Sequence, residues 1–297
     1  MEDVIILESG PRDGFQNLSE VLDTKTKLEI IDGLIQSGIK AIEVTSFVSP
    51  IAIPQMIDAK EVAEYCVKKY DDVELYALVP NLKGAQLAYA SGIKSLSYVI
   101  SLSKSHNRAN INRTHEESFD ELAKMMAECP EVKICVGIAT AFGCPFEGLP
   151  KVEETVAFAK KIYDMGIRSL NLADTIGIAD PKQVRETIRA IKKEMPDCEL
   201  QIHIHDTRNM GIVNTLAAIE EGVNIVQTTL GGLGGCPFAP GASGNTATED
   251  LVYMLDRMDI KTGVDFDELL SLSKRQREKI DGVYSGHQLN ITRPVAN

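Results

Sequence analysis

The sequence predicts a (β/α)8 barrel, a single α/β domain over residues 1–297, and three observations carry that expectation. Short β-rich runs recur roughly every 20 to 40 residues, with segments of helical apolar spacing between them, the cadence of repeated βα units. Four helix-to-strand junctions share one pattern: Ser37-Gly38-Ile39-Lys40, Ser91-Gly92-Ile93-Lys94, Met165-Gly166-Ile167-Arg168 and Glu221-Gly222-Val223-Asn224 each place glycine where a helix must stop. The length of 297 residues, 44% hydrophobic, suffices for one large core and sits close to the ~250 residues typical of such barrels. A doubly wound open sheet is the alternative that the same alternation allows.

Taken in order, the strand candidates are residues 4–10, 41–47, 74–80, 95–101, 133–140, 169–175, 199–205 and 224–230. Helical spacing is clear at 27–36, 57–68, 152–163, 181–193 and 215–220, and helices over 246–258 and 265–281 close the ring. Thr246-x-x-Glu249 reads as a capping box, which sets Asn245 just before a helix N-terminus. No linker, charge block or low-complexity stretch divides the chain.

A net charge of −12 and a sequence pI near 5.0 argue against nucleic acid or a membrane surface as partner, since both reward a basic face. An anionic ligand therefore needs a local basic patch. Cys66, Cys129, Cys135, Cys144, Cys198 and Cys236 show no paired spacing, and neither a signal peptide nor an apolar span of membrane length is visible. A reducing cytoplasm is the expected setting.

Barrels of this kind carry function at the C-terminal ends of their strands, and the polar residues gather there. Arg12 and Asp13 follow the first strand, Glu43 sits in the second, and Lys104, His106 and Arg108 follow the fourth. Asp174 ends the sixth, and His203, His205 and Asp206 end the seventh. Residues two apart on a strand share a face, so His203 and His205 point the same way. With Asp13 from a neighbouring strand and Asn245, they can form a mixed imidazole, carboxylate and amide site; magnesium or manganese suits that donor set, and zinc stays open. A hydrogen-bonded histidine pair packing the barrel end is the alternative. Arg12 either neutralises an oxyanion, which a permanently charged guanidinium can do without losing a proton, or makes a structural ion pair with Glu43. The basic stretch 104–113, read as a loop, either meets phosphates and carboxylates or is a solvated rim.

After the eighth strand, six of the chain's 22 glycines fall within residues 231–245, together with Cys236 and two prolines. Such a segment cannot be the interior of an element; it is a shaped turn carrying a semi-buried thiol, or a lid over the site.

These residues resemble the 3-hydroxy-3-methylglutaryl-CoA lyase family of metal-dependent barrel lyases. The resemblance covers nearly the whole chain. It rests on Gly10-Pro11-Arg12-Asp13-Gly14-Phe15-Gln16-Asn17, Glu43-Val44-Thr45-Ser46-Phe47-Val48-Ser49-Pro50, Pro80-Asn81-Leu82-Lys83-Gly84, Gly143-Cys144-Pro145-Phe146-Glu147-Gly148, Asp174-Thr175-Ile176-Gly177, His203-x-His205-Asp206-Thr207 and the glycine segment. It implies a divalent cation held by Asp13, His203, His205 and Asn245, Mg2+ or Mn2+ ahead of Zn2+. Arg12, Asp13, Glu43 and Cys236 are then catalytic, with Arg12 facing a thioester carbonyl, Asp13 a candidate base and Cys236 a proton donor. Arg12, Gln16, Ser46, Asp174 and Thr175 are expected to meet the acyl-CoA substrate, in a homodimer or other homo-oligomer. The implied reaction is retro-Claisen cleavage to acetoacetate and acetyl-CoA. Three positions depart from the family pattern: Ile51 replaces a lysine, Arg208-Asn209-Met210 stands where a glycine is usual, and Glu8-Ser9 replaces Glu-Val. Ile51 leaves a related hydroxyacyl-CoA, such as citramalyl-CoA, open as substrate, and a condensing synthase of the same superfamily is the second alternative.

Overall fold

Eight parallel strands, β1 (Ile5–Glu8), β2 (Ala41–Ser46), β3 (Glu74–Leu78), β4 (Ser95–Ser101), β5 (Lys133–Ala139), β6 (Ser169–Asp174), β7 (Glu199–Ile204) and β8 (Ile225–Thr228), pair in sequence order. The pairing of β8 with β1, from Ile5↔Ile225 to Glu8↔Thr228, closes them into a barrel and excludes the open sheet. The structure, a computed structural model, describes residues 3–235 and 244–291. Helices α1 (Thr24–Gln36), α2 (Ala59–Lys69), α3 (Leu82–Ala90), α4 (Lys104–Ile111), α5 (His115–Glu128), α6 (Val152–Asp164), α7 (Pro181–Glu194), α8 (Gly211–Glu220), α9 (Thr248–Arg257) and α10 (Phe266–Lys279) alternate with the strands and follow them.

Local chemistry accounts for the boundaries. Asp23, Asn81, Ser103, Thr114, Asp180 and Asp265 each accept a hydrogen bond from a backbone N–H in the first turn of the helix that follows. At the far ends, Gly38, Gly92, Gly166 and Gly222 have φ of +101°, +90°, +107° and +81°, the left-handed stops that the four repeated junctions predict.

Three expectations need correction. The first strand ends at Glu8, because Gly10–Gly14 coils into a single π-helical turn that carries Arg12 and Asp13. The stretch 104–113 is largely helix α4, and its histidine faces inward: His106 is 1% exposed and its Nδ1 lies 2.7 Å from the Ser101 hydroxyl. Thr246 and Glu249 form no capping box; Ala247 is the N-cap of α9. Thr246 instead donates its hydroxyl to the Ile204 carbonyl at 3.0 Å, and Glu249 turns inward to accept from Gly231 N and the Ser273 hydroxyl, both at 2.9 Å.

The apolar core divides in two. A large layer between strands and helices includes Ile42, Val44, Leu96, Ile100, Val136, Leu170 and Ile202. Inside the barrel the apolar cluster is only Leu7, Ala41, Tyr76, Cys135 and Ile225. Many other buried positions on the inward alternation are polar, among them Ser95, Ser97, Ser169, Asn171, Gln201 and Gln227. Barrel interiors are usually filled with branched aliphatic residues, so this one is unusually rich in hydrogen-bonding groups directly beneath its C-terminal mouth.

Candidate active site

The π turn after β1 holds Arg12 and Asp13 in place from the backbone. The Ser9 carbonyl accepts from both of their N–H groups, at 3.0 and 2.7 Å, and the Asn17 side chain donates to the Asp13 carbonyl at 2.7 Å. On β2 the register to β3 slips between Glu43 and Thr45. That bulge re-aims Glu43, a frequent device beside active sites. The Arg12 guanidinium then donates through Nε to Glu43 Oε2 and through one terminal nitrogen to Asp13 Oδ1, both at 2.5 Å. Its other terminal nitrogen has no partner among the described residues. The ion-pair reading of Arg12 is therefore observed, and it leaves N–H donors of the guanidinium unused. Burial opposes the charge on Arg12, but Glu43 and Asp13 more than offset it and raise the pKa.

His203 on β7 and His205 just beyond it point into the mouth, with their Nε2 atoms 3.0 Å apart. Asn245 reaches them because its backbone bridges to His205, and its Nδ2 donates to Asp13 Oδ2 at 2.7 Å. The expected quartet Asp13, His203, His205 and Asn245 is thus assembled. One ligand atom from each of Asp13, His203 and His205 lies within 4.8 Å of the others, all three residues buried. Burial disfavours charge on both imidazoles and takes His203 down to about 3, so both are neutral at pH 7. Asp13 stays ionised, at about 2, because Arg12 and the histidines outweigh the cost of its burial. The Asn245 Oδ1 is buried without a hydrogen-bond partner among the described residues. A carboxylate, two neutral imidazole lone pairs and an unused amide oxygen in one buried spot fit a divalent cation, and mixed nitrogen and oxygen donors suit Mg2+, Mn2+ or Zn2+.

The remaining expected residues divide. Gln16 joins the cluster, donating to Asp13 Oδ1 at 3.2 Å. Ser46 donates to the Leu78 carbonyl at 3.2 Å, and the Thr175 hydroxyl accepts from Thr140 N at 2.7 Å. Asp174 accepts from the N–H groups of Ile178 and Ala179 at 3.0 and 2.9 Å, while burial lifts its pKa to about 6. No side chain of these three hydrogen-bonds to the Asp13 cluster among the described residues, although the Asp174 carbonyl accepts from His205 N at 3.3 Å. Cys236 lies outside the described residues. Ile51 is 94% exposed, outside the buried cluster.

Two residues that the sequence reading did not assign to the site support the mouth. Glu8, fully buried, accepts through Oε1 from Gly10 N and Leu230 N, both at 2.8 Å, and through Oε2 from the Thr248 hydroxyl at 2.5 Å. Glu249 holds Gly231. Together they fasten the root of the glycine segment, whose ends close on each other where Asn245 N donates to the Gly232 carbonyl at 3.2 Å. The available signal was a carboxylate within an apolar strand, at Glu8.

The HMGL-like family model matches residues 3–275. The chain belongs to the HMGL-like family. This HMGL-like chain is 40% identical over 290 residues to the hydroxymethylglutaryl-CoA lyase of Bacillus subtilis, covering 97% of each. Its fold matches a crystal structure of the Bacillus subtilis HMG-CoA lyase with a TM-score of 0.92, at 38% identity and 97% coverage of both chains. It also matches an HMG-CoA lyase from Acinetobacter baumannii in complex with coenzyme A and 3-methylmalate, with a TM-score of 0.90, 36% identity and coverage of 99% and 98%. As a member of this family the protein is a carbon–carbon lyase.

Proposed function

We propose that the protein cleaves 3-hydroxy-3-methylglutaryl-CoA to acetoacetate and acetyl-CoA with a divalent cation, Mg2+ or Mn2+. The observation that carries this reading is the buried quartet Asp13, His203, His205 and Asn245 with Arg12 fixed beside it. A cation bound there supplies Lewis acidity that makes the tertiary hydroxyl of the substrate easier to deprotonate. Arg12 faces the thioester carbonyl and holds the negative charge of the acetyl-CoA enolate released when the carbon–carbon bond breaks. Glu43 and Asp13 keep the guanidinium in that orientation. An Asp13 carboxylate at about 2 is a weak proton acceptor at pH 7 and better suited to holding a cation; as the base it needs its contacts with Arg12 loosened in the substrate complex. Cys236 returns a proton to the enolate carbon. Gln16 and Ser46 meet the substrate, and Asp174 and Thr175 shape the loop beneath it.

Among the described residues no helix is long and apolar enough to cross a membrane. Cys66, Cys129, Cys135, Cys144 and Cys198 are free and buried, which is in keeping with a reducing compartment such as the cytoplasm. Ile51 is exposed and outside the buried cluster, so its departure from the family pattern leaves that cluster intact. The test is a panel of hydroxyacyl-CoAs, citramalyl-CoA included, incubated with protein and Mg2+ or Mn2+. Acetyl-CoA released from 3-hydroxy-3-methylglutaryl-CoA without free thiol supports the lyase; liberated thiol with a 2-oxo acid and acetyl-CoA as substrates points to a synthase.

A further inference from the structure

Below the metal-site histidines, the polar interior of the barrel forms a directed chain of hydrogen bonds. At its N-terminal end Lys133 Nζ lies 3.1 Å from Glu199 Oε1, and the same carboxylate oxygen accepts from the Ser169 hydroxyl at 2.7 Å. Ser169 Oγ accepts from Gln201 Nε2 at 3.4 Å, and Gln201 Oε1 accepts from Gln227 Nε2 at 3.3 Å. Gln227 is the register partner of His203, so the two side chains stand side by side on the inner face.

The order of donors has a consequence at each link. An ionised carboxylate only accepts, so Ser169 must give it its single proton and is left with lone pairs. Gln201 must therefore turn its NH2 toward Ser169 and its carbonyl toward Gln227. Gln227 must in turn spend its NH2 on Gln201, which leaves its carbonyl for His203. Nδ1 of His203 is buried and has no hydrogen-bond partner among the described residues, and Gln227 is the neighbour beside it in register.

We infer that Gln227 is a positioning residue for the metal site: its carbonyl, oriented by the chain Gln201–Ser169–Glu199, holds His203 as the Nδ1–H tautomer and so presents Nε2 as a ligand. This rests on the metal-site reading above. Residues that take the second nitrogen of a ligating histidine fix its ring and tautomer, and losing one typically weakens metal affinity about 10–100-fold.

The test compares wild type, Gln227→Leu and Gln227→Glu in two measurements. Two-bond 1H–15N correlation of the metal-free protein reads the His203 tautomer, the signal being assigned by its loss in His203→Asn, and titration with Mn2+ alone gives the Kd. The wild type shows Nδ1–H. Gln227→Leu loses that preference and binds Mn2+ about 10–100-fold more weakly, and Gln227→Glu, which keeps an acceptor for Nδ1–H while giving up the bond to Gln201, keeps the Nδ1–H tautomer. Gln227→Leu with wild-type tautomer and Kd overturns the inference. If Gln227→Leu does not fold, Ser169→Ala breaks the same chain with little change in volume, and an unshifted tautomer there overturns it equally. Should the wild type take up no Mn2+, the metal reading fails, while an Nε2–H His203 in the metal-free protein is what overturns this inference.

Discussion

Arg12 makes the sharpest claim for a single side chain, because two carboxylates hold it while part of its guanidinium stays open to a ligand. Arg12→Gln is predicted to lower kcat by at least about 10²–10³-fold, the loss typical of a missing oxyanion donor. Metal content after dialysis against Mn2+ should remain near that of the wild type, since all four proposed ligands survive. Removing the cation also leaves Asp13 and Glu43 buried without their partner, so denaturant titration should show a loss of roughly 3–5 kcal/mol. His203→Ala has the opposite signature: the Mn2+ Kd, read by calorimetry, rises by more than the about 10–100-fold expected of an outer partner. Equal metal loss in both variants contradicts the division of labour. The shared placement of the two histidines was legible in the sequence because a strand's period of two puts His203 and His205 on one face. Their partners were less so: only the closed barrel shows that the Glu43 bulge, the π turn and the Asn245 bridge converge on one point.

At the scale of elements, Glu8 on β1 and Glu249 on α9 fasten the root of the glycine segment, and burial pushes both carboxyls up to about 7. The folded state therefore binds these protons more tightly than the unfolded chain, whose carboxyls titrate near 4.5. Stability from these groups is fully present below about pH 4.5 and is lost as pH rises through about 7. For each group the change is on the order of 3 kcal/mol. Glu249→Gln, uncharged throughout, should flatten this slope in denaturant titrations at pH 5, 6, 7 and 8; a slope that remains equally steep contradicts the assignment. Gly231 stands at the same root with φ +71°, and a Cβ there would meet Tyr284 at 2.6 Å. Gly231→Ala should cost about 1–2 kcal/mol from the left-handed backbone alone, before the clash, and appear as a lowered Tm. A sequence motif suggested a capping box at Thr246 and Glu249; the structure spends both side chains on tertiary contacts instead. A local pattern cannot reveal that, because the competing partners, Ile204, Gly231 and Ser273, are distant in sequence. Helix α4 was hidden for a related reason: its polar, basic composition reads as a loop, while its cap Ser103 and the buried His106 give it away only in three dimensions.

For the whole molecule, the fold was the most legible feature, since repeated βα units with glycine stops admit few closed arrangements, and strand order follows sequence order around the barrel. The polar interior was not legible as a system. Gln201 and Gln227 are unremarkable in the sequence and become a directed chain only when β6, β7 and β8 lie in register. The barrel thereby joins its two ends: a salt bridge at the N-terminal face orders amides that end beneath the histidines at the mouth. Binding a cation to the folded state alone must raise stability by mass action, so Mn2+ should raise the Tm of the wild type and not that of His203→Ala. The central claim is that this mouth performs a metal-dependent lyase reaction. The most direct measurement removes metal with a chelator, adds 3-hydroxy-3-methylglutaryl-CoA and graded Mg2+ or Mn2+, and follows acetyl-CoA, acetoacetate and free thiol together. The account predicts no turnover without metal, equal amounts of acetyl-CoA and acetoacetate once metal is restored, and no thiol; full activity in chelator, or no cleavage with metal present, contradicts it.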